Sequence, residues 1–307
     1  MIVVTTPTGA VGRLVLSGVL AAGRQVRVVV RDPERLPAEV RERVEVVRGS
    51  HGDPAVVDRA FDGARAVFWL VPPDVRSADL EAAFSGFTRP ACRALVRHGV
   101  GRVVGVSALG RHFAGPAGLV TASLAMDELI ASTGVAYRAL AMPAFMENLL
   151  QQAGAIRERG EFCSVVEADL RLPAVAVRDV AQAAVRLLLD EGWQGYDSVP
   201  VLGPESLSFR QIAAIATEVL GRPVRYRRVP AAEFRAALTA AGMSEVMAAG
   251  TVEMLEAKNA GLDSAEPRTA RSASPTAFRT WCAEVLRPAV AGRAPAGVPD
   301  ATSRRAG

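Results

Sequence analysis

At 307 residues, half of them hydrophobic and 22% charged, the chain is long enough for one large or two modest domains around an ample apolar core. The net charge of +4 and the pI of 9.4 rest on arginines scattered along the chain, with Lys258 as the sole lysine. No basic run is interleaved with aromatics and no apolar run could span a bilayer, so neither nucleic acid nor membrane is an expected partner.

The elements alternate from the start. Residues 2–5 form a short β-branched strand, and Thr8-Gly9-Ala10-Val11-Gly12 reads as a turn. A helix over 13–22 follows, with Leu14, Val15, Val19 and Leu20 on one side, and Gly23 stops it. A second strand over 25–30 completes a βαβ unit of about thirty residues, the size of a mononucleotide-binding half of a doubly wound sheet. Then come a strand over 44–47, a helix over 54–61, a strand over 66–71 and a helix over 80–98. A strand over 102–106, a helix over 121–133 and a strand over 136–141 continue the rhythm. Near-continuous apolar strands such as Ala66-Val67-Phe68-Trp69-Leu70 imply a parallel sheet covered on both faces. After about residue 145 the pattern becomes irregular, with amphipathic helices over 180–189, 209–220 and 231–241. From Pro288 onward there is no periodicity, so a disordered tail is expected over 287–307. The fold expected is α/β: a Rossmann-like doubly wound sheet over 1–150, and a small α+β substrate part over 151–286 interwoven with it.

Candidate site residues fall at the carboxyl ends of the strands. Thr5-Thr6-Pro7-Thr8-Gly9-Ala10-Val11-Gly12 lies between a strand and a helix. A Gly-x-x-Gly there lets backbone N–H groups face a pyrophosphate, with the Thr6 and Thr8 hydroxyls as further donors. Arg31 follows the second strand, where an acid holds a ribose 2′-OH and an arginine accommodates a 2′-phosphate; NADP(H) is therefore expected over NAD(H), with Asp32 as a counter-signal. Asp53 fits an acceptor for the adenine amino group and equally a helix N-cap before Pro54. Leu70, Val71 and Pro72 end the fourth strand and are placed to wall the ribose. Ser107 ends the fifth strand, as a hydroxyl toward the nicotinamide or as a turn serine. His112 reads as an acid or ligand, or as a solvated loop side chain. No Tyr-x-x-x-Lys pair exists, since Met254 stands four before Lys258. Cys92, Cys163 and Cys282 lack metal spacing and read as reduced buried thiols, and the N-terminal strand in place of a signal peptide points to the cytoplasm.

Several segments together resemble the NmrA-like group of atypical short-chain dehydrogenases over roughly residues 1–285. They are the Thr-Gly-Ala-Val-Gly turn, Val30-Arg31-Asp32-Pro33-Glu34-Arg35-Leu36, Asp127 seven residues before Gly134, and Pro143-Ala144-Phe145-Met146-Glu147-Asn148. Val177-Arg178-Asp179-Val180-Ala181 and Leu202-Gly203-Pro204-Glu205-Ser206-Leu207-Ser208 complete the set. The resemblance implies that Pro143 and Phe145 pass close to the nicotinamide and that the Arg178-Asp179 segment belongs to the small C-terminal part. Aligning Asp127 with the family's acidic helix position puts Ser123 where a catalytic lysine stands and Leu119 where tyrosine stands.

Two functions follow as expectations. One is an NADPH-dependent reductase of a ketone or quinone on a small aromatic or secondary-metabolite substrate. It would use cofactor placement and a proton from solvent or substrate. The other is a non-catalytic NADP-binding redox sensor. Met142, Phe145, Met146, Met243, Met247 and Met254 suit either core or an apolar substrate pocket. A monomer or homodimer acting on a small molecule, with no metal, is expected.

Overall fold

A computed structural model describes residues 1–293. The first part runs β1 (Ile2–Thr5), α1 (Ala10–Ala21), β2 (Val26–Val30), α2 (Ala38–Arg41), β3 (Glu45–Arg48), α3 (Pro54–Phe61), β4 (Ala66–Trp69), α4 (Phe87–Arg97), β5 (Arg102–Ala108), α5 (Leu119–Ala131) and β6 (Ala136–Met142). The second part runs β7 (Ala144–Phe145), α6 (Ala153–Arg159), β8 (Glu161–Ser164), β9 (Leu172–Val175), α7 (Val177–Leu189), β10 (Tyr196–Pro200), β11 (Ser206–Leu207), α8 (Phe209–Leu220), β12 (Arg225–Arg228), α9 (Ala231–Ala240), α10 (Glu245–Asn259), α11 (Phe278–Trp281) and α12 (Arg287–Val290).

Seven strands form one wholly parallel sheet in the order β10-β6-β5-β4-β1-β2-β3. The expected doubly wound fold is therefore present. The strand order reverses between β1 and β4, which opens the crevice where ligands sit in such sheets. One face carries α1 and α7, packed so closely that a Cβ on Gly18 would lie 2.7 Å from Val185 Cγ2. The other face carries α3, α4 and α5 over Val67, Trp69, Val103 and Tyr137. These strand residues are almost wholly buried, and each large apolar side chain contributes roughly 1.5–3 kcal/mol on burial.

Several expectations shift. The first helix begins at Ala10, not residue 13, because Gly9 is its N-cap. The fourth strand ends at Trp69, two residues early. The helix over 80–98 is present, but Ala82–Gly86 is a π turn ahead of Pro90, which has no N–H to offer the preceding turn. The division at 150 is crossed twice, since α7 and β10 return to the large sheet and its α1 face. The Arg178-Asp179 segment thus opens a helix packed on the large sheet, while both side chains reach the small part at Thr276 and Glu284. That part keeps a three-stranded sheet β11-β9-β7, a two-stranded sheet β12-β8, and a core around Phe162, Trp281 and Leu286. The tail begins later than expected, since Arg287–Val290 is helical and Val290 is buried; residues 294–307 lie outside the described residues. Among the described residues no helix is long and apolar enough to cross a membrane. Cys92 and Cys282 are buried free thiols, whereas Cys163 is only half-buried.

Candidate cofactor and substrate site

The turn after β1 is built around Thr6, the non-glycine residue at positive φ (51°) among the described residues. Gly9 N–H donates to the Thr6 carbonyl at 2.9 Å, which closes the turn, and α1 starts at once. No side chain caps α1, so the N–H groups of Ala10, Val11 and Gly12 have no intrahelical partner. Beside them the Thr6 hydroxyl is buried without a hydrogen-bond partner. Free amides, a helix dipole and an orphaned hydroxyl at one point suit a bound phosphate. A Cβ built on Gly12 would overlap the Thr6 carbonyl oxygen. The glycine is therefore required by the turn itself, before any cofactor approaches.

The neighbouring strand ends are tied together by side chains. Thr5 Oγ1 donates to the Phe68 carbonyl at 2.9 Å and accepts from Leu70 N–H at 3.2 Å. The buried His51 Nε2 bonds the Leu70 carbonyl at 3.0 Å, and its ring stands edge-on to Trp69 and Phe87. Burial first, then the nearby Arg31 charge, holds the His51 pKa down to about 4. Leu70 thus has both backbone groups satisfied, which fixes the wall continued by the buried Val71 and exposed Pro72. Arg31 is exposed at the end of β2. Asp32 is turned away to cap the short 3₁₀ helix Pro33–Arg35, accepting from Glu34 N–H at 3.2 Å. Asp53 caps α3 through Oδ1, from Ala55 N–H at 2.8 Å and Val56 N–H at 3.2 Å, which is the bland of its two expected roles.

At the carboxyl end of β5 the two candidate acids have different surroundings. Ser107 is buried and its hydroxyl donates to Asp127, so it points into the interface between the sheet and α5. His112 is exposed on the following loop. Asp127 is wholly buried and also accepts from Tyr137 Oη at 2.5 Å and from Arg111. Burial pushes its carboxyl up, while the Ser107, Tyr137 and Arg111 donors pull it back. Burial and the facing carboxyl raise the Tyr137 hydroxyl well above the usual range, so it remains a donor. Gly105 leaves room for that hydroxyl, and Tyr196 stacks on Tyr137 with the Arg111 guanidinium over its ring. Leu119 and the buried Ser123 occupy the α5 positions where the resemblance places tyrosine and lysine. Sequence reasoning missed Arg111 and Tyr137; only the acid at 127 had been noticed, as an alignment marker.

The segment after β6 is tied to the second part of the chain. Pro143 is buried, and Phe145 is half-buried in β7 against β9. Glu147 accepts from Val177 N–H and from Trp281 Nε1, each at 3.0 Å, which joins this segment to the start of α7 and to α11. Asp179 takes both the amide and the hydroxyl of Thr276 at 3.0 and 2.8 Å. Met142, Met146 and Met247 are core residues, and Met243 and Met254 are partly buried.

The NAD(P)H-binding family matches residues 7–191, about three-fifths of the chain. The chain belongs to this family. The NAD(P)H-binding protein is 35% identical to the (4-alkanoyl-5-oxo-2,5-dihydrofuran-3-yl)methyl phosphate reductase of Streptomyces griseus, covering 92% of this chain and 97% of the relative. It is 25% identical to quinone oxidoreductase 2 of Escherichia coli, covering 85% and 87%. Among solved structures, the triphenylmethane reductase of Citrobacter sp. in complex with NADP(H) aligns with a TM-score of 0.76 at 22% identity, over 92% of this chain and 99% of that one, a likeness of fold. These matches agree with the resemblance read from the sequence. The NAD(P)H-binding protein is an oxidoreductase.

Proposed function

We propose that this protein is an NADPH-dependent reductase of a ketone, a quinone or a carbonyl-activated ring on a small secondary-metabolite substrate. The observation that carries the reading is a crevice fitted for a dinucleotide phosphate at Thr6–Gly12 beside an α5 that offers Leu119 and Ser123 in place of a Tyr–Lys couple. The near full-length similarity to a reductase of an alkanoyl dihydrofuranone phosphate supports the substrate class. Such substrates carry a carbonyl that accepts charge as hydride arrives.

Thr6, Thr8, Gly9, Ala10, Val11 and Gly12 hold the pyrophosphate in this reading, and Arg31 holds the 2′-phosphate of NADPH over NADH. Asp53 borders the adenine, and Leu70, Val71, Pro72, Pro143 and Phe145 border the ribose and nicotinamide. The cofactor supplies the hydride when bound. The chain supplies placement, and the proton comes from solvent or from an acidic group of the substrate. The test is NADPH oxidation, followed at the nicotinamide absorbance, with quinones, aromatic ketones and acyl butenolides. Tight NADPH binding with no turnover across that panel would replace the reductase by a redox sensor.

A further inference from the structure

The amino ends of the strands carry a second concavity, at the opposite edge of the sheet from the crevice. It measures about 340 Å³ and lies between the start of β1, the turn after α1, the starts of β4 and β5, and the end of α7. Arg24, Arg65, Arg102 and Glu191 line it, with Ala66 and Leu188 as apolar wall. Arg102 opens the seven-residue strand β5, and Ala108 ends it on the crevice side. At roughly 3.3 Å per residue those two ends stand about 20 Å apart.

Three guanidinium groups share one carboxylate here. Arg24 comes only to 3.9 Å from Glu191, and both side chains are about half exposed, so that pair is weak. Among the described residues the Arg65 and Arg102 side chains make no ion pair and no hydrogen bond, and Arg102 Nε is buried without a partner. A buried donor left unpaired is costly. Arg27 of β2, by contrast, donates to the Ala60 carbonyl at 2.8 Å and to Glu45 at 3.0 Å. The Arg102 guanidinium lies 5.9 Å from the ring centroid of Trp193, whose own Nε1 is fixed on the Leu187 carbonyl at 3.0 Å. The backbone sets Arg65 beside it. Arg102 N–H donates to the Arg65 carbonyl at 3.2 Å, and Arg65 N–H to the Met1 carbonyl at 2.9 Å.

We propose that this concavity binds a phosphate dianion, free or as the end of a phosphate ester. Three arginines and one glutamate leave the lining side chains at a formal +2, the charge that a dianion neutralises. Guanidinium groups recognise phosphate oxygens through parallel N–H donors, and Arg102 Nε is a donor already withdrawn from water. An anion seated there bridges the turn after α1 and the end of α7 to the starts of β4 and β5. A ligand held by the folded chain and not by the unfolded one raises stability by mass action. The site does not depend on the reductase reading, because its residues stand at the edge of the sheet away from the cofactor.

The test is calorimetric titration of the NADPH-saturated protein with inorganic phosphate and with glycerol 3-phosphate. Saturating NADPH keeps both probes away from the turn at Thr6–Gly12. Saturable binding is expected, with a rise in Tm. R65Q/R102Q should bind either probe roughly ten- to a hundred-fold more weakly, the range of a charge-assisted contact, with NADPH affinity unchanged. R65Q alone changes an exposed side chain and should already weaken binding. R102K keeps the charge without the planar fork and should fall between wild type and R102Q. Tighter binding of glycerol 3-phosphate assigns the site to an ester, and equal or weaker binding assigns it to free phosphate. Absence of saturable binding, equal affinity in wild type and R65Q for both probes, or a Tm rise that sodium chloride reproduces at equal ionic strength overturns the site.

Discussion

Arg31 and Asp32 are adjacent charges with opposite meanings for a ribose, and the local backbone separates them. Asp32 is engaged in capping Glu34, whereas Arg31 is exposed at the strand end. Arg31→Ala should weaken NADP(H) binding by roughly ten- to a hundred-fold and change NAD(H) little, the range of a charge-assisted contact. Equal losses in a titration of both cofactors would remove Arg31 from the 2′-phosphate. At Gly12 the obstacle to a side chain is the Thr6 carbonyl, so Gly12→Val should lower Tm as well as abolish nucleotide binding. Unchanged affinity in that variant would show that the turn does not hold phosphate. His51 makes a prediction about pH. Its folded pKa of about 4 lies below the ordinary 6.5, so between those values the unfolded chain binds a proton that the folded chain refuses. Stability is lost as pH falls from 6.5 toward 4, by up to about 3 kcal/mol from this group. His51→Phe keeps an aromatic ring against Trp69 and Phe87, and its denaturation midpoint should fall less over that window than wild type's. Parallel curves for the two proteins would mean that His51 titrates normally.

At the scale of elements, what the sequence disclosed depended on burial. Strands β1, β2 and β4 are covered on both faces and read as apolar runs, so the βαβ rhythm and the phosphate turn were legible within a few residues. Strand β10 was not legible, because Tyr196-Asp197-Ser198-Val199-Pro200 is a polar edge strand with no alternation. Helix α10 was missed for a different reason. It mixes Ala, Gly and Met around its circumference while packing on both α5 and α9, so no single apolar stripe marks it. The Asp127 cluster joins α5, β5 and β6 through side chains, and no spacing rule announces such a meeting. The Glu147 clamp was visible only as part of a family motif, and the structure supplies its reason. Glu147→Ala would strand Val177 N–H and Trp281 Nε1–H, costing about 1–3 kcal/mol for each buried donor left unpaired. Chemical denaturation should show that loss, with Glu147→Gln recovering part of it. A variant as stable as wild type would make the clamp incidental.

Across the whole molecule, the proposed mechanism pairs the crevice at Thr6–Gly12 with no essential side-chain acid. The hydroxyl of Ser107 is tied to a buried carboxyl, and His112 is exposed to water. Under the proposed reading, proton delivery belongs to solvent or to the substrate, and the protein's share is placement. Ser107→Ala and His112→Ala should each keep turnover within about 10²–10⁴-fold of wild type, the range usually supplied by a general acid. Ser107→Ala should be the more sensitive, since it also removes a donor from Asp127 and loosens the end of β5. The sharper comparison uses the substrate. A ketone with an adjacent phenol carries its own proton, and methylating that phenol should slow reduction more than either substitution does. Steady-state rates on the paired substrates decide the matter. If His112→Ala ends turnover while the methylated ketone reacts at the parent rate, the proton is the protein's and the placement mechanism is wrong.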